Sequence, residues 1–187
     1  MLDTIILLSL FSSLFKNEVI EVKHDYLDNQ IQISINNLDK EYDEYQEYLR
    51  LHTFNGETDT EIAEKLDRYL NSTLEGKGQF IAEYSISVGM DPYLATAVML
   101  QETGCYWTCS YLTRVCNNVG GQKGSPSCNG GSYRRFDTLE EGLKFTINKL
   151  NSYYQNGKTT PREINPYYAT DKTWYQKVER YMDKLQS

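Results

Sequence analysis

The chain has 187 residues, a formal net charge of −7, 40% hydrophobic content and 24% charged content. That balance excludes a disordered chain, and the acidity argues against a nucleic-acid binder, which needs a basic face. The length allows one ordinary domain plus an extension, and 16 tyrosines against 6 phenylalanines supply rings with a polar tip, as carbohydrate clefts and interfaces both require.

Thr4 to Phe15 is an apolar run, short for a spanning helix of about 20 residues but matched to the core of an export signal. Its flanks fit less well, because Met1-Leu2-Asp3 carries no positive charge and no small-x-small site follows. Residues 1–16 are therefore expected to be a signal peptide or membrane anchor, with a buried core helix as the other reading. Residues 17–75 read as a helical stalk or prefix. Ile31, Ile35, Leu38, Tyr42, Tyr45 and Leu49 recur at alternating four and three, a heptad pattern. One amphipathic helix packing on the domain is the plain reading, and a self-associating spacer the sharper one. Ile31, Ile33 and Ile35 also alternate as a strand would.

Asn55-Gly56 marks a turn, and Thr58-x-x-Glu61 is the pattern of a capping box opening a helix with Ile62, Leu66, Tyr69 and Leu70. Gly76-Lys77-Gly78 breaks the chain, which places the domain at 76–187. A helix over Gln79–Val88 is expected to bury Phe80, Ile81 and Tyr84 and to end at Gly89. Asp91-Pro92 then reads as N-cap and first helical residue. Leu94, Ala95, Val98 and Glu102 follow at helical spacing, and Gly104 is placed to close the helix in a left-handed turn. A carboxylate at a helix C-terminus, beside apolar residues, is disfavoured twice, by the helix dipole and by burial. Both push the Glu102 pKa up, as a general acid working near neutral pH requires. The plain alternative is a solvated glutamate at a frayed helix end.

All four cysteines, Cys105, Cys109, Cys116 and Cys128, lie in the Gly-rich stretch 104–131. Two disulfides are the favoured reading, with the pairing open. A four-thiolate zinc site lacks the usual C-x2-C knuckles, so no metal is expected, and free thiols are the third reading. Asn117–Lys123 and Ser132–Phe136 are expected to pair as a small antiparallel hairpin. Asp137-x-x-Glu140 reads as a cap for a helix with Leu139, Leu143, Ile147 and Leu150 on its core face. Pro161 to Pro166 reads as a loop, and a last helix, about 173–185, is expected to bury Tyr175, Val178, Met182 and Leu185.

Four of these segments carry a resemblance. Glu102-Thr103-Gly104 resembles the Glu-Ser-Gly that ends the catalytic helix of lysozyme-like hydrolases. Asn117-Asn118-Val119-Gly120-Gly121-Gln122-Lys123-Gly124 is similar to the hairpin of the bacterial glucosaminidase family. Tyr133-Arg134-Arg135-Phe136-Asp137 resembles that family's aromatic-basic-aromatic strand. Tyr168-Ala169-Thr170-Asp171 with Tyr175-Gln176-Lys177-Val178 resembles its closing motifs. The four occur in family order across roughly 76–186. The departures are Cys105 where the family usually has Trp, the cysteine-bearing insertion, and a first 75 residues that match nothing.

The resemblance implies a mainly α (α+β) fold: a lysozyme-like helical domain with a small β-hairpin lobe, here preceded by a helical N-terminal extension. It implies a peptidoglycan hydrolase cleaving β-1,4 bonds between GlcNAc and MurNAc, with Glu102 as general acid and no cofactor. It also implies Tyr133, Tyr168, Asn118, Gly120 and Gln122 as substrate-binding candidates. Its partner would be the glycan strand, and its place the cell wall, secreted or tethered through residues 4–15. Self-association through the prefix is a further expectation. A catalytically inactive glycan-binding module, a lytic transglycosylase and a cysteine-rich interaction protein are the competing readings. No second catalytic carboxylate stands out, since 104–131 contains no Asp or Glu.

Overall fold

The computed structural model describes the backbone of residues 2–187 and the side chains of Lys16, Lys23, His24 and residues 26–187. Eight helices and one two-stranded sheet are assigned among them. Two units result, Met1–Tyr48 and Leu49–Ser187.

The first unit lies within α1 (Leu2–His52). The alternation at Ile31, Ile33 and Ile35 is helical, not strand. The heptad residues Ile31, Ile35, Leu38, Tyr42 and Tyr45 are all exposed, and nothing among the described residues says what covers them. The side chains of the apolar run 4–15 lie outside the described residues. No described helix is long and apolar enough to cross a membrane, so a tether there stays an expectation.

The second unit opens with β1 (Thr53–Phe54) and β2 (Glu57–Thr58), antiparallel and joined at Asn55-Gly56. Both turn residues have positive φ, as a tight hairpin needs. The Thr58–Glu61 capping box forms and starts α2 (Asp59–Asp67). Ile62, Leu66, Leu70 and Leu74 are fully or almost fully buried. The compact unit therefore begins at Leu49, before the boundary expected at Gly76, because this segment supplies one side of the core.

The helix α3 (Gly78–Ser87) buries Ile81, Ala82 and Ile86, while Phe80 and Tyr84 are half-buried. At the centre is α4 (Pro92–Thr103), in which every residue from Pro92 to Leu100 is buried. A helix apolar on all sides is a core helix rather than a surface one, so the stripe read from Leu94, Ala95 and Val98 is part of a wider burial. Asp91 Oδ1 accepts from the Tyr93 and Leu94 amides at 2.8 and 3.2 Å, and Gly104 takes the left-handed C-cap at φ 69°.

Around α4 pack α6 (Leu139–Tyr154) and α8 (Trp174–Leu185), with α5 (Tyr111–Cys116) and α7 (Pro161–Tyr168) between them in sequence. Three local readings change. The α6 cap is Thr138, which accepts from the Glu141 amide, while Glu141 reaches back to the Asp137 amide. Glu140 instead pairs with Lys77 at 2.7 Å. Residues 161–168 are helical because Thr160 and Glu163 form a capping box and Pro161 occupies the first helical position, where a missing N–H costs nothing. In α8 the deeply buried residues are Trp174, Val178 and Leu185, with Tyr175 and Met182 only partly covered.

The expected hairpin of 117–123 with 132–136 is reduced to two isolated bridges, Lys123 with Tyr133 and Ser127 with Arg134. Asn117, Gly121 and Gly124 take positive φ, which no run of extended strand accommodates. The Asn118 side chain stands in for the missing ladder. Its amide donates to the Gln122 and Arg134 carbonyls at 2.8 and 2.7 Å, and its oxygen accepts from the Gln122 amide at 2.9 Å. The disulfides are Cys105–Cys109 and Cys116–Cys128, and no cysteine is free.

Candidate active site

Glu102 stands in the last turn of α4, held there by the Asp91 cap at one end and the Gly104 turn at the other. Its carboxylate is partly covered. Oε1 accepts a hydrogen bond from the Trp174 indole at 2.8 Å. Oε2 faces the backbone of Gly121, where an added Cβ would stand 3.2 Å away. Gly121 has φ +62°, so glycine serves twice here: it allows the left-handed turn and the close approach to the carboxylate.

Burial raises the Glu102 pKa above its ordinary value, opposed in part by the Trp174 hydrogen bond and the positive charge of Lys177. An acid whose neutral form is favoured by lost hydration is suited to give up a proton as its partner gains charge. Lys177 is itself tied to Asp171 at 2.7 Å, and Asp171 also accepts from the Thr173 amide and hydroxyl. These contacts hold the Asp171 carboxyl well below the usual range. Its caps and ion pair make it a brace for the start of α8.

The wall facing Glu102 is the segment Gly120–Gln122. Tyr168 donates from its hydroxyl to the Gly120 carbonyl at 3.1 Å, and the Gln122 amide reaches that hydroxyl at 3.4 Å. The Tyr168 ring lies 5.0 Å from the Trp174 ring. Burial, together with the negative charge of Glu102, raises the Tyr168 pKa, so its phenol stays protonated at any working pH. Gly120 is packed against α6, and a Cβ there would stand 2.7 Å from Thr146 Oγ1. Gly142 of α6 is closer still, with a built Cβ 1.8 Å from the Asn117 carbonyl oxygen.

The structure thus joins Glu102, Gly120, Gln122 and Tyr168 in one connected set. Asn118 lies behind that wall, 1% exposed, with its amide turned to backbone. Tyr133 is 43% exposed on the bridge to Lys123 and stands outside the set. Sequence reasoning missed Trp174, and it quoted Gly121 inside the hairpin motif without its approach to Glu102. The signal for Trp174 was its rarity, one of 2 tryptophans, just after the Tyr-Ala-Thr-Asp motif. A hollow of about 630 Å³ lined by Arg162, Tyr167, Tyr168 and Tyr175 adjoins the set through Tyr168 and does not include Glu102. Among the described residues no cluster of His, Cys, Asp or Glu could hold a metal ion.

Residues 78–187 match the family model of the glucosaminidases, described as mannosyl-glycoprotein endo-beta-N-acetylglucosaminidase. The chain belongs to the glucosaminidase family. No curated protein matches it. The family match covers α3 to α8 and leaves out α2, although α2 is core to the compact unit. Family membership makes the chain a glycosidase of the peptidoglycan-degrading kind.

Proposed function

We propose that this glucosaminidase-family chain cleaves β-1,4 bonds between GlcNAc and MurNAc in peptidoglycan, with Glu102 as the general acid. The observation that carries the reading is the half-covered Glu102 carboxyl, its pKa raised by burial, with one oxygen on Trp174 and the other facing Gly121. Glycosidic cleavage needs a proton on the leaving oxygen and relief for an oxocarbenium-like transition state. Protonated Glu102 supplies the first. Once the proton has left, the Trp174 indole and Lys177 stabilise the carboxylate that remains.

The scheme uses no second carboxylate: the charge acting on Glu102 is the Lys177 cation, and Asp171 is engaged by Lys177 and Thr173. The displacement therefore falls to a water or to the substrate's own acetamido oxygen, and an intramolecular attack at MurNAc would give an anhydro product. Tyr168 and Gln122 are the substrate-positioning candidates on the Gly120 wall, and Tyr133, exposed on its bridge to Lys123, is a further candidate. Action outside the membrane fits both the family and two disulfides.

The test is product release from purified peptidoglycan, read by mass spectrometry, for wild type and Glu102→Gln. Loss of products with retained fold and retained glycan binding supports the reading. Full activity in the variant ends it. A wild type that sediments with peptidoglycan but releases nothing moves the chain to the binding-module reading.

A further inference from the structure

The Cys105–Cys109 disulfide closes a small loop immediately after the helix that carries Glu102. That loop presents Tyr106 and Trp107. Trp107 is 79% exposed, an unusual position for the largest apolar side chain. The two rings meet edge to face at 4.8 Å. Tyr106 is braced by Tyr69 at 5.8 Å and Tyr181 at 6.0 Å, so the loop is a fixed platform. Asn71 locks it further, its side-chain amide donating to the Tyr106 carbonyl at 2.8 Å.

Beside the platform runs a groove of about 350 Å³ lined by Gln101, Lys177, Arg180, Tyr181 and Lys184. Glu102 does not line it, but Lys177 does, and the Lys177 charge acts on the Glu102 carboxyl, which links the groove to the proposed acid. Three cations line it on a chain of net charge −7. Lys177 is matched by Asp171. Among the described residues Arg180 and Lys184 have no carboxylate within ion-pairing distance. The acids of the same helix, Glu179 and Asp183, do not line the groove. Arg180 uses only Nε, to the Gln176 carbonyl. Lys184 sits over the Tyr106 ring at 4.6 Å, a contact that leaves its N–H donors open.

We propose that this groove and platform are a subsite for a carboxylate-bearing aminosugar of the same glycan strand. The carboxylate sits between Arg180 and Lys184, and the sugar face stacks on Trp107. The proposal rests on the peptidoglycan reading of Glu102 and adds a charge preference to it. An uncharged strand of N-acetylglucosamine would use the ring platform and leave both cations unmatched. The muramyl lactyl carboxylate supplies that match.

The experiment uses the full chain carrying Glu102→Gln, so that ligands survive. Calorimetry measures binding of a muramyl-containing tetrasaccharide and of chitotetraose, the same backbone without the carboxylate. The expected result is tighter binding of the muramyl ligand, by about three- to tenfold, narrowing with added salt. Arg180→Gln with Lys184→Gln removes that preference and leaves chitotetraose affinity alone, whereas Trp107→Ala weakens both ligands together. Intact mass and a thermal melt of each variant verify disulfides and fold. Equal affinity for the two ligands, no binding of either, or an unchanged preference in the charge variant overturns the subsite. The general-acid reading fails separately, by activity of Glu102→Gln on peptidoglycan with Arg180 and Lys184 intact.

Discussion

At the scale of single residues, the proposed chemistry rests on one carboxyl and its two neighbours. Glu102→Gln keeps shape and hydrogen bonding but has no proton to give. Turnover is expected to fall about 10²–10⁴-fold, measured as muropeptide release. The same variant tests the electrostatics. The folded-state pKa of Glu102 is raised, so its neutral form is favoured in the native state. Stability linked to this group is fully present below the unfolded value and lost as pH rises through the folded one. Glu102→Gln is therefore expected to be at least as stable as wild type at neutral pH and to show a flatter melting temperature from pH 4 to 8. Trp174→Phe removes the indole donor that favours the charged carboxyl. The basic limb of the kcat/KM profile, set by loss of the acid's proton, should then move to higher pH. An unmoved limb would mean that the indole does not tune the acid.

At the scale of elements, the caps and glycines set the walls of the cleft. Thr138 caps α6, and Glu140 makes a half-exposed ion pair with Lys77. Thr138→Ala is expected to cost about 1 kcal/mol in a urea melt, whereas Glu140→Gln should change stability little, as exposed pairs do. Gly142→Ala is the severe case. Its Cβ would lie 1.8 Å from the Asn117 carbonyl oxygen, both backbone-held, so α6 must move off the segment it supports. A loss of about 3 kcal/mol or more is expected, with activity falling as well because Gly120 rests on the same helix. A Gly142→Ala protein with wild-type melt and activity would show that α6 does not fix that wall.

For the whole molecule, the two disulfides staple the stretch between the Glu102 helix and α6, where little core exists. Cys116–Cys128 closes the longer loop, with a sequence separation of 12 against 4 for Cys105–Cys109. By chain entropy the first is expected to stabilise by about 3 kcal/mol and the second by about 2 kcal/mol. Urea melts of the two paired Cys→Ser variants measure both. The second pair also fixes Trp107, so its removal should weaken glycan binding more than its small stability cost implies. Alkylation with and without reductant, read by intact mass, counts the bridges directly.

The local grammar of the chain was legible without a structure. Asp91-Pro92, Thr58-x-x-Glu61 and Gly104 set helix ends by contacts within four residues, and each forms as the residues alone imply. Glu102 at the end of its helix follows from spacing in the same way. The α6 cap shifted by one, from Asp137 to Thr138, because a capping residue with an acid three residues on stands in both registers, Asp137 with Glu140 and Thr138 with Glu141, and the fold chose between them. Residues 161–166 read as loop from their two prolines, a reading that leaves out the Thr160–Glu163 box by which the structure makes them helical. The cysteine pairing, the reduction of the hairpin to two bridges, and the meeting of Trp174 with Glu102 across 72 positions were decided by tertiary structure. Such contacts depend on which surfaces of α4, α6 and α8 come together, and that is set by packing the whole core at once. No local spacing encodes it, which is why the place of Glu102 at its helix end could be read from the chain and its contact with Trp174 could not.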